Sequence, residues 1–337
     1  MRGIWLTGLS ILFVLLWSSG WTASHFVVTS SSALSMLTMR YLIVLLILLV
    51  LVTMLGQWRK VSRHTVSVHL LIGALCHGLY LLGSLSAFEL GVSAAAVAFI
   101  NSLQPLVTVS WAKSITGELV HPRQRKGIVL GLLSAMLIVS ASYQSGVSLV
   151  ALGLPFLAMV AITIGTMLNR RHAIKTSLAN EPSTPIAMSM LIHTVGALIV
   201  IVPLAAVNRE LKLNFSVPEW QAIIWLALVV SVLSYAIMQL LVRHVSALQL
   251  SSLAYLVPPT TMMQSYLIFN DDVSTSDAIA FCLAAGAVYL VLTSSNKTRD
   301  RKKEQFRSAQ LSPRQFNRID PMNKVSIGRS ATVDINL

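Results

Sequence analysis

Ten apolar runs, each about 18 to 24 residues long, follow one another along this chain and are long enough to cross the ~30 Å hydrocarbon core of a bilayer as helices. Lipid cannot hydrogen-bond a backbone, so spans of this kind must be helical. Only 11% of the residues are charged, against roughly 25% in an average soluble domain. We therefore predict an all-α, multi-pass membrane protein. The ten predicted transmembrane helices cover, approximately, residues 6–28, 33–55, 66–88, 92–114, 127–145, 147–168, 185–207, 219–241, 246–269 and 276–295.

One stretch of the sequence recurs about half a chain away. Residues 93–118 align without a gap on residues 246–271, which lie 153 positions later, and Pro105 then falls on Pro258. A single recurrence indicates two homologous halves. Each half would hold five spans, an odd number, so the second half would enter the membrane from the opposite face. Inverted repeats of this kind occur in secondary transporters and give them inward-open and outward-open states. The two predicted repeats are residues 1–145 and 146–295.

Lysine and arginine residues collect on one side of the predicted membrane. With a cytoplasmic N-terminus, twelve of them before the tail lie inside and only Arg209 and Lys212 lie outside. Positive loops mark the cytoplasmic face, so we predict that both termini are cytoplasmic. The net charge of +13 then orients helices and does not indicate nucleic acid as a partner. The first run could instead be a cleaved signal peptide, but it continues to Val28, which favours a retained span.

The segment 296–337 differs in composition from the rest of the chain. It holds ten Lys or Arg residues, four acidic residues and few apolar ones, so we predict a disordered, basic cytoplasmic tail. Its basic cluster can contact anionic lipid headgroups. Within the spans, small residues such as Gly127 and Gly131 permit close helix packing. Packing within a monomer and packing in a homodimer both remain open.

Several short motifs, in order, resemble the EamA-type members of the drug/metabolite transporter superfamily over about residues 8–295. The resemblance implies ten helices in two repeats and export of amino acids, other metabolites or drugs, with the plasma (inner) membrane as the location. The sequence departs from the family where Asn270 and Asp271 replace the usual Gly-Glu pair, and where Pro258 is followed by Pro259. The motifs are Leu16, Trp17, Ser18, Ser19 and Gly20; Arg40; Pro105; Gly117 and Glu118; Ser234 and Tyr235; Ser246 and Ala247; and Pro258.

Arg40 is the only charged residue well inside a predicted span. Placing an arginine there costs roughly 2.5 to 3.5 kcal/mol on insertion scales, so its side chain should face the bundle or a wet cavity. One interpretation is a binding partner for a substrate carboxylate. The other is a structural arginine that reaches the interface or pairs with Glu89.

Prolines interrupt the fourth and ninth predicted spans. Pro105 has no N–H, so the carbonyl of Asn101 loses its helical partner and can accept from a ligand or water. Pro258 and Pro259 have the same effect on the carbonyls of residues 254 and 255. Paired broken helices at matching positions point to a midplane site, although kinks bonded to neighbouring helices would look the same.

The predicted substrate site combines polar and aromatic residues of several spans. We expect no metal and no cofactor there, and both cysteines lie inside apolar runs, away from any metal-binding pattern. Trp21, His193, Gln239 and Ser252 are further polar or aromatic candidates. The predicted substrate-binding residues are Trp17, Arg40, His77, Tyr80, Asn101, Gln104, Tyr235, Ser251, Tyr255 and Gln264, and the predicted helix breaks are Pro105, Pro258 and Pro259.

The sequence also restricts the energy source and the class of protein. It contains no P-loop for ATP and no His-Glu-x-x-His or Gly-x-Ser-x-Gly motif, so we predict that it is not an enzyme. No Asp or Glu lies at mid-membrane, so proton coupling would need His77 or His193; facilitated diffusion or exchange fits equally well. We predict a secondary transporter of a small metabolite. The alternative is a non-transporting membrane scaffold or signalling protein.

Overall fold

The computed structural model describes most of the predicted membrane region, and all of the regular structure in the part it describes is helical. The described residues are 2–28, 31–90, 92, 97, 100, 101, 104–115, 122–142, 148–211, 214–269, 279, 282, 283, 285–287, 289 and 290. The predicted tail, the turns at residues 117–118 and 270–271, and most of residues 93–99 lie outside these ranges.

Nine helices are defined within the described residues. Some of residues 279–290 are helical as well. The last of the nine, α9, consists of an α-helical part Ala247–Ser252, a 3-10 turn Leu253–Leu256 and a second α-helical part Val257–Phe269. The other eight are α1 (Arg2–Val28), α2 (Ala33–Met54), α3 (Arg63–Glu89), α4 (Gln104–Ile115), α5 (Pro122–Ser142), α6 (Leu149–Leu178), α7 (Ile186–Val207) and α8 (Val217–His244).

Six of these helices are long and apolar enough to cross a membrane: α1, α2, α3, α6, α7 and α8. The prediction of an all-helical chain with several spans is thus confirmed for the described residues. The other four predicted spans either include residues outside the described set or, at residues 246–269, correspond to the interrupted helix α9. The number of ten therefore stays a prediction.

Serine residues fix where several helices begin. A serine hydroxyl in front of a helix accepts a hydrogen bond from a backbone N–H that has no partner within the first turn. Ser216 and Ser246 each form a capping box, in which the residue three positions later also bonds back. The serines that cap α2, α3 and α6 are Ser32, Ser62 and Ser148.

Helices α3 and α7 approach so closely that only glycine fits at their crossing. A Cβ atom on Gly73 would lie 2.0 Å from the carbonyl oxygen of His193, and one on Gly196 would lie 2.2 Å from that of Leu70. Small residues allow this backbone contact between helices in a bilayer. The crossing brings His69 and His77 of α3 beside His193 of α7.

Two helices contain π-helical segments. In α3 the segment is Ala74–Leu79, and in α8 it is Leu226–Ser234. Such wide turns are rare and often occur at functional sites. His77 lies in the first segment and Ser231 in the second, and the two residues line the same cavity.

The spacing of 153 residues recurs in the helix bounds. Adding 153 to the bounds of α2 gives residues 186–207, which are the bounds of α7. The same shift carries the π segment of α3 to residues 227–232, inside the π segment of α8. The two halves therefore share helix positions and a distortion that the sequence did not reveal.

Candidate functional site

A small cavity lies among helices α1, α3, α4, α6, α8 and α9, and many of the predicted residues meet there. It offers about 50 Å³ of space to the centres of water-sized molecules. We call it the amide cavity because it contains the side chains of Asn101 and Gln104. The predicted residues that line it are Trp17, Tyr80, Asn101, Gln104, Ser251 and Pro258.

Asn101 has an unused hydrogen-bond acceptor at this cavity. Its Nδ2 donates to Ser84 Oγ at 3.3 Å, whereas its buried Oδ1 has no partner among the described residues. Buried polar atoms normally have a partner. The Oδ1 atom is therefore available to accept from a bound molecule or a water.

A second, smaller cavity adjoins the first. It offers about 20 Å³ and is lined by Arg40, His77 and Ser231 together with several apolar residues. We call it the Arg40 cavity. Trp17, Trp21 and Tyr80 line both cavities, so three aromatic side chains stand where the two spaces meet.

Arg40 is buried, with 4% of its surface exposed. Its Nε donates to Ser231 Oγ at 2.8 Å, which is its one hydrogen bond to the described residues. The predicted alternative partner, Glu89, instead accepts from the backbone N–H of Ala33 at 2.6 Å and so holds the start of α2. No described carboxylate pairs with Arg40. The guanidinium is thus a buried positive charge beside a cavity.

Next to the Arg40 cavity lies a chain of hydrogen-bonded polar side chains. His193 Nδ1 is 2.8 Å from the hydroxyl of Tyr235 and 3.1 Å from Nε2 of Gln239. His193 Nε2 is 2.8 Å from Nδ1 of His69. The ring of His77 packs edge-on against that of Tyr235, with 4.1 Å between centroids. The predicted residue Tyr235 therefore belongs to this chain, although it lines neither cavity. His77 contacts the chain through its ring only.

Two predicted binding residues lie elsewhere. The hydroxyl of Tyr255 donates to the carbonyl of Ile128 at 3.3 Å, and Nε2 of Gln264 donates to the carbonyl of Leu15 at 2.9 Å. Neither residue lines either cavity, so their predicted contact with a substrate finds no support in this geometry.

The helix break at Pro258 is present, but its hydrogen bonding differs from the prediction. The 3-10 turn Leu253–Leu256 precedes the proline, and the carbonyl of Ala254 accepts from the N–H of Val257. A tighter turn thus satisfies one carbonyl that we expected to be free. Pro105 and Pro259 are buried, and the residues directly before Gln104 lie outside the described part of the chain.

Sequence reasoning missed several residues of this region. His69 and Ser231 were not predicted, although each bonds directly to a predicted candidate. Asn169 was also missed; its Nδ2 donates to Oε1 of Gln239 at 3.0 Å. All three bonds join side chains at least 70 positions apart in the sequence. Spacing along one helix could not have found them.

Comparison with known proteins identifies the family of this chain. No curated protein matches it. A solved structure titled only "Crystal structure of protein" has the same fold, with a TM-score of 0.70 and 17% sequence identity over 85% of this chain and 96% of that one. The model of the EamA-like transporter family matches residues 3–140 and again residues 149–293. With two copies of the family's repeat along most of its length, this multi-pass membrane protein belongs to the EamA-like transporter family.

Proposed function

We propose that this protein is a secondary transporter that exports a small solute bearing a carboxylate, such as an amino acid, by alternating access between two inverted repeats. The observation that carries the proposal is the Arg40 cavity. It places a buried guanidinium without a described counter-charge beside a second cavity that holds an unused amide oxygen.

The carboxylate of the solute is assigned to Arg40. An arginine inside a membrane protein is costly unless it has a function or a partner. The bond from Nε to Ser231 fixes one edge of the guanidinium. A carboxylate can bind an arginine in a bidentate manner through two parallel hydrogen bonds. Ser231 would then orient Arg40 for that contact.

The rest of the solute is assigned to the shared aromatic residues and the amide cavity. Trp17, Trp21 and Tyr80 stand between the two spaces and would pack against an apolar side chain. A protonated amine on the solute could donate to Oδ1 of Asn101, which has no partner among the described residues. Most small-molecule sites combine an apolar wall with a few polar groups in this way.

The proposal of alternating access draws on the recurrence at 153 residues. The helices α2 and α7 have matching bounds at this shift, and the π segments of α3 and α8 overlap. We assign the two repeats to residues 1–145 and 146–295. Two similar halves in opposite orientations can exchange conformations. One arrangement of the halves opens the site inward, and the arrangement related to it by the two-fold axis opens the site outward.

The distribution of basic loop residues supports cytoplasmic termini. The plasma membrane as the location and export as the direction are proposed from the match to the EamA-like transporter family. We assign the segment 296–337 to a cytoplasmic tail that touches lipid headgroups. The cavities lie among helices of one chain, so a monomer would carry a whole site, and a homodimer would be needed only for stability.

The proposal is tested by counterflow in proteoliposomes that contain the purified protein. Vesicles loaded with unlabelled L-leucine or L-phenylalanine should take up the labelled form of the same amino acid saturably, and tetraethylammonium should neither enter nor compete. Empty vesicles are the control. If neither amino acid nor any other carboxylate-bearing solute exchanges, the transporter proposal fails and a scaffold function becomes the better interpretation. Efflux of labelled L-phenylalanine from loaded cells, compared with cells lacking the protein, tests the direction.

A further inference from the structure

The polar chain beside the Arg40 cavity is buried and continuous over three helices. It passes from Tyr235 of α8 to His193 of α7 and on to His69 of α3, with 2.8 Å between each pair of bonded atoms. His193 is fully buried. Side chains in hydrogen bonds of this length can pass a proton along, and histidine can accept at one ring nitrogen while it releases at the other.

Gln239 determines the direction of the hydrogen bonds. Its Oε1 accepts from Asn169, so its Nε2 donates to His193 Nδ1. His193 Nδ1 therefore carries no proton and also accepts from the hydroxyl of Tyr235. The proton of a neutral His193 then lies on Nε2, which donates to Nδ1 of His69. All the donors point from Tyr235 toward His69, as a directed proton chain requires.

Each end of the polar chain lies beside another histidine ring. At one end, His77 lines the Arg40 cavity and packs against Tyr235, and its Nε2 has no partner in the part of the chain that the structure describes. At the other end, Nε2 of His69 likewise lacks a described partner, and its ring lies 5.1 Å from that of the half-buried His172.

The row of hydrogen-bonded side chains also has a defined length. His69 lies six residues after the start of α3, which is about 9 Å along the helix, and His77 lies about 12 Å further in. The residues between them include Gly73, at the close crossing with α7. The close approach of the two backbones therefore permits the bond from His193 to His69.

Charged and titratable groups on the neighbouring helices surround this polar chain of side chains. Helix α2 contributes Arg40 and Tyr41, and α8 contributes Arg243. Helix α6 contributes His172, which in turn lies near His64, Lys175 and Glu181. No described carboxylate faces His69, His77 or His193. Cys76 of α3 and Tyr41 also lie near Tyr235, but neither has a described hydrogen bond to the chain. His69, His193 and Tyr235 are therefore the hydrogen-bonded groups that can carry a proton here.

We propose that Tyr235, His193 and His69 form a proton pathway, which leads from the side of His77 and the Arg40 cavity to the end of the bundle where α3 begins, and that it couples solute transport to a pH gradient. The coupling rests on the proposed transport function; the pathway itself does not. In the predicted orientation that end is cytoplasmic. Protons then move inward while the solute moves outward.

Each passage moves one proton along the pathway. The hydroxyl proton of Tyr235 moves to Nδ1 of His193, and the Nε2 proton of His193 moves to Nδ1 of His69. His69 releases its own Nε2 proton to water at the far end, and Tyr235 takes a new proton from a water molecule that enters beside His77. One proton enters and one leaves. Each ring then gives its Nδ1 proton to water and takes one from water at Nε2, which restores its first form without a net transfer.

The pathway is tested with His69→Gln. Glutamine can still accept from His193 Nε2, but it cannot release a proton on its other side. The matched control is His244→Gln on α8. Among the described residues, this exposed histidine bonds to the carbonyl of Leu240 in its own helix and packs against the ring of Trp5. Thermal unfolding in detergent checks that both variants fold.

Two transport measurements on proteoliposomes separate coupling from solute binding, with labelled L-phenylalanine as the probe. A gradient of about one pH unit can support about tenfold accumulation when one proton exchanges for one solute molecule. We expect the unmodified protein and His244→Gln to reach such accumulation, and His69→Gln to lose it while keeping counterflow. Counterflow in the unmodified protein without any response to the gradient, or accumulation that survives in His69→Gln, overturns the proposal.

A third measurement does not depend on transport. Nitrogen NMR of histidine-labelled protein in lipid vesicles should give a coupling between His193 Nε2–H and His69 Nδ1, and Tyr235→Phe should shift the His193 signals. If counterflow fails for every probe, the transporter proposal fails, and this spectrum alone decides about the pathway. Absence of the coupling between the rings of His193 and His69 overturns the proposed pathway in every case.

Discussion

Replacing Arg40 with glutamine tests the proposed site most directly, because it removes the charge and leaves a donor for Ser231 Oγ. Truncating one partner of a buried, hydrogen-bonded charge pair costs about 2 to 5 kcal/mol. That range corresponds to an increase of about 30-fold to several thousand-fold in the half-saturation concentration. We expect counterflow of L-phenylalanine by Arg40→Gln to need concentrations raised by at least the lower factor.

The same substitution should leave the fold intact. An arginine in the bundle carries an insertion cost of roughly 2.5 to 3.5 kcal/mol, which glutamine largely removes. The hydrogen bond from a charged donor to Ser231 contributes about 1.5 to 3 kcal/mol, and glutamine keeps part of it. The two effects nearly cancel, so the melting temperature in detergent should stay the same or rise.

Arg59→Gln provides the matched control, because Arg59 is exposed in the loop between α2 and α3 and its replacement removes the same charge. Both variants should express and unfold like the unmodified protein, and only Arg40→Gln should lose affinity. An Arg40→Gln protein with unchanged half-saturation and a lowered melting temperature would refute the reasoning, since that result is expected of a structural arginine.

Three further substitutions test other parts of the structure. Gly196→Ala should lower the melting temperature, because the new Cβ meets the carbonyl of Leu70. The expected loss in the free energy of unfolding is about 1 to 3 kcal/mol or more. Gly153→Ala, where nothing lies within 4 Å of the new Cβ, should leave the melting temperature unchanged. Gln104→Ala should change the preference between L-leucine and L-phenylalanine in competition assays, and an unchanged preference would place the lining elsewhere. Ser231→Ala should weaken uptake less than Arg40→Gln does, because the charge remains; an equal loss would contradict an orienting role.

Much of the helical framework could be predicted from hydropathy alone. The predicted spans 33–55 and 185–207 agree with α2 and α7 to within a residue at each end. Lipid leaves a chain few alternatives, since each backbone group must bond within its own helix. The span predicted at residues 147–168 was too short, because α6 continues to Leu178 through a basic segment that hydropathy counts as a loop.

The lining of the amide cavity could be predicted in part. Trp17, Tyr80, Asn101, Gln104 and Ser251 were selected as polar or aromatic residues in apolar spans, and the structure brings all five to one cavity. Such residues are costly in lipid and therefore collect in the interior of the bundle. Tyr255 and Gln264 met the same criterion, yet they bond to backbone carbonyls elsewhere. Residue type alone does not separate the two outcomes.

The π segments explain why the lining could not be derived from helical periodicity. A wide turn adds a residue to the helical register and rotates everything beyond it by about 100° relative to a continuous α-helix. His77 lies inside such a segment and Tyr80 lies just after it. If the positions of these two residues around the helix axis are calculated from His69 at 3.6 residues per turn, they are assigned to the wrong face of α3. Helix α8 has its wide turn at the position related by 153 residues, and there it precedes Tyr235. The two residues in contact at the cavity end of the proton pathway are thus placed by the same distortion in each half of the chain. A change that restores regular α-helix in either half should therefore separate His77 from Tyr235.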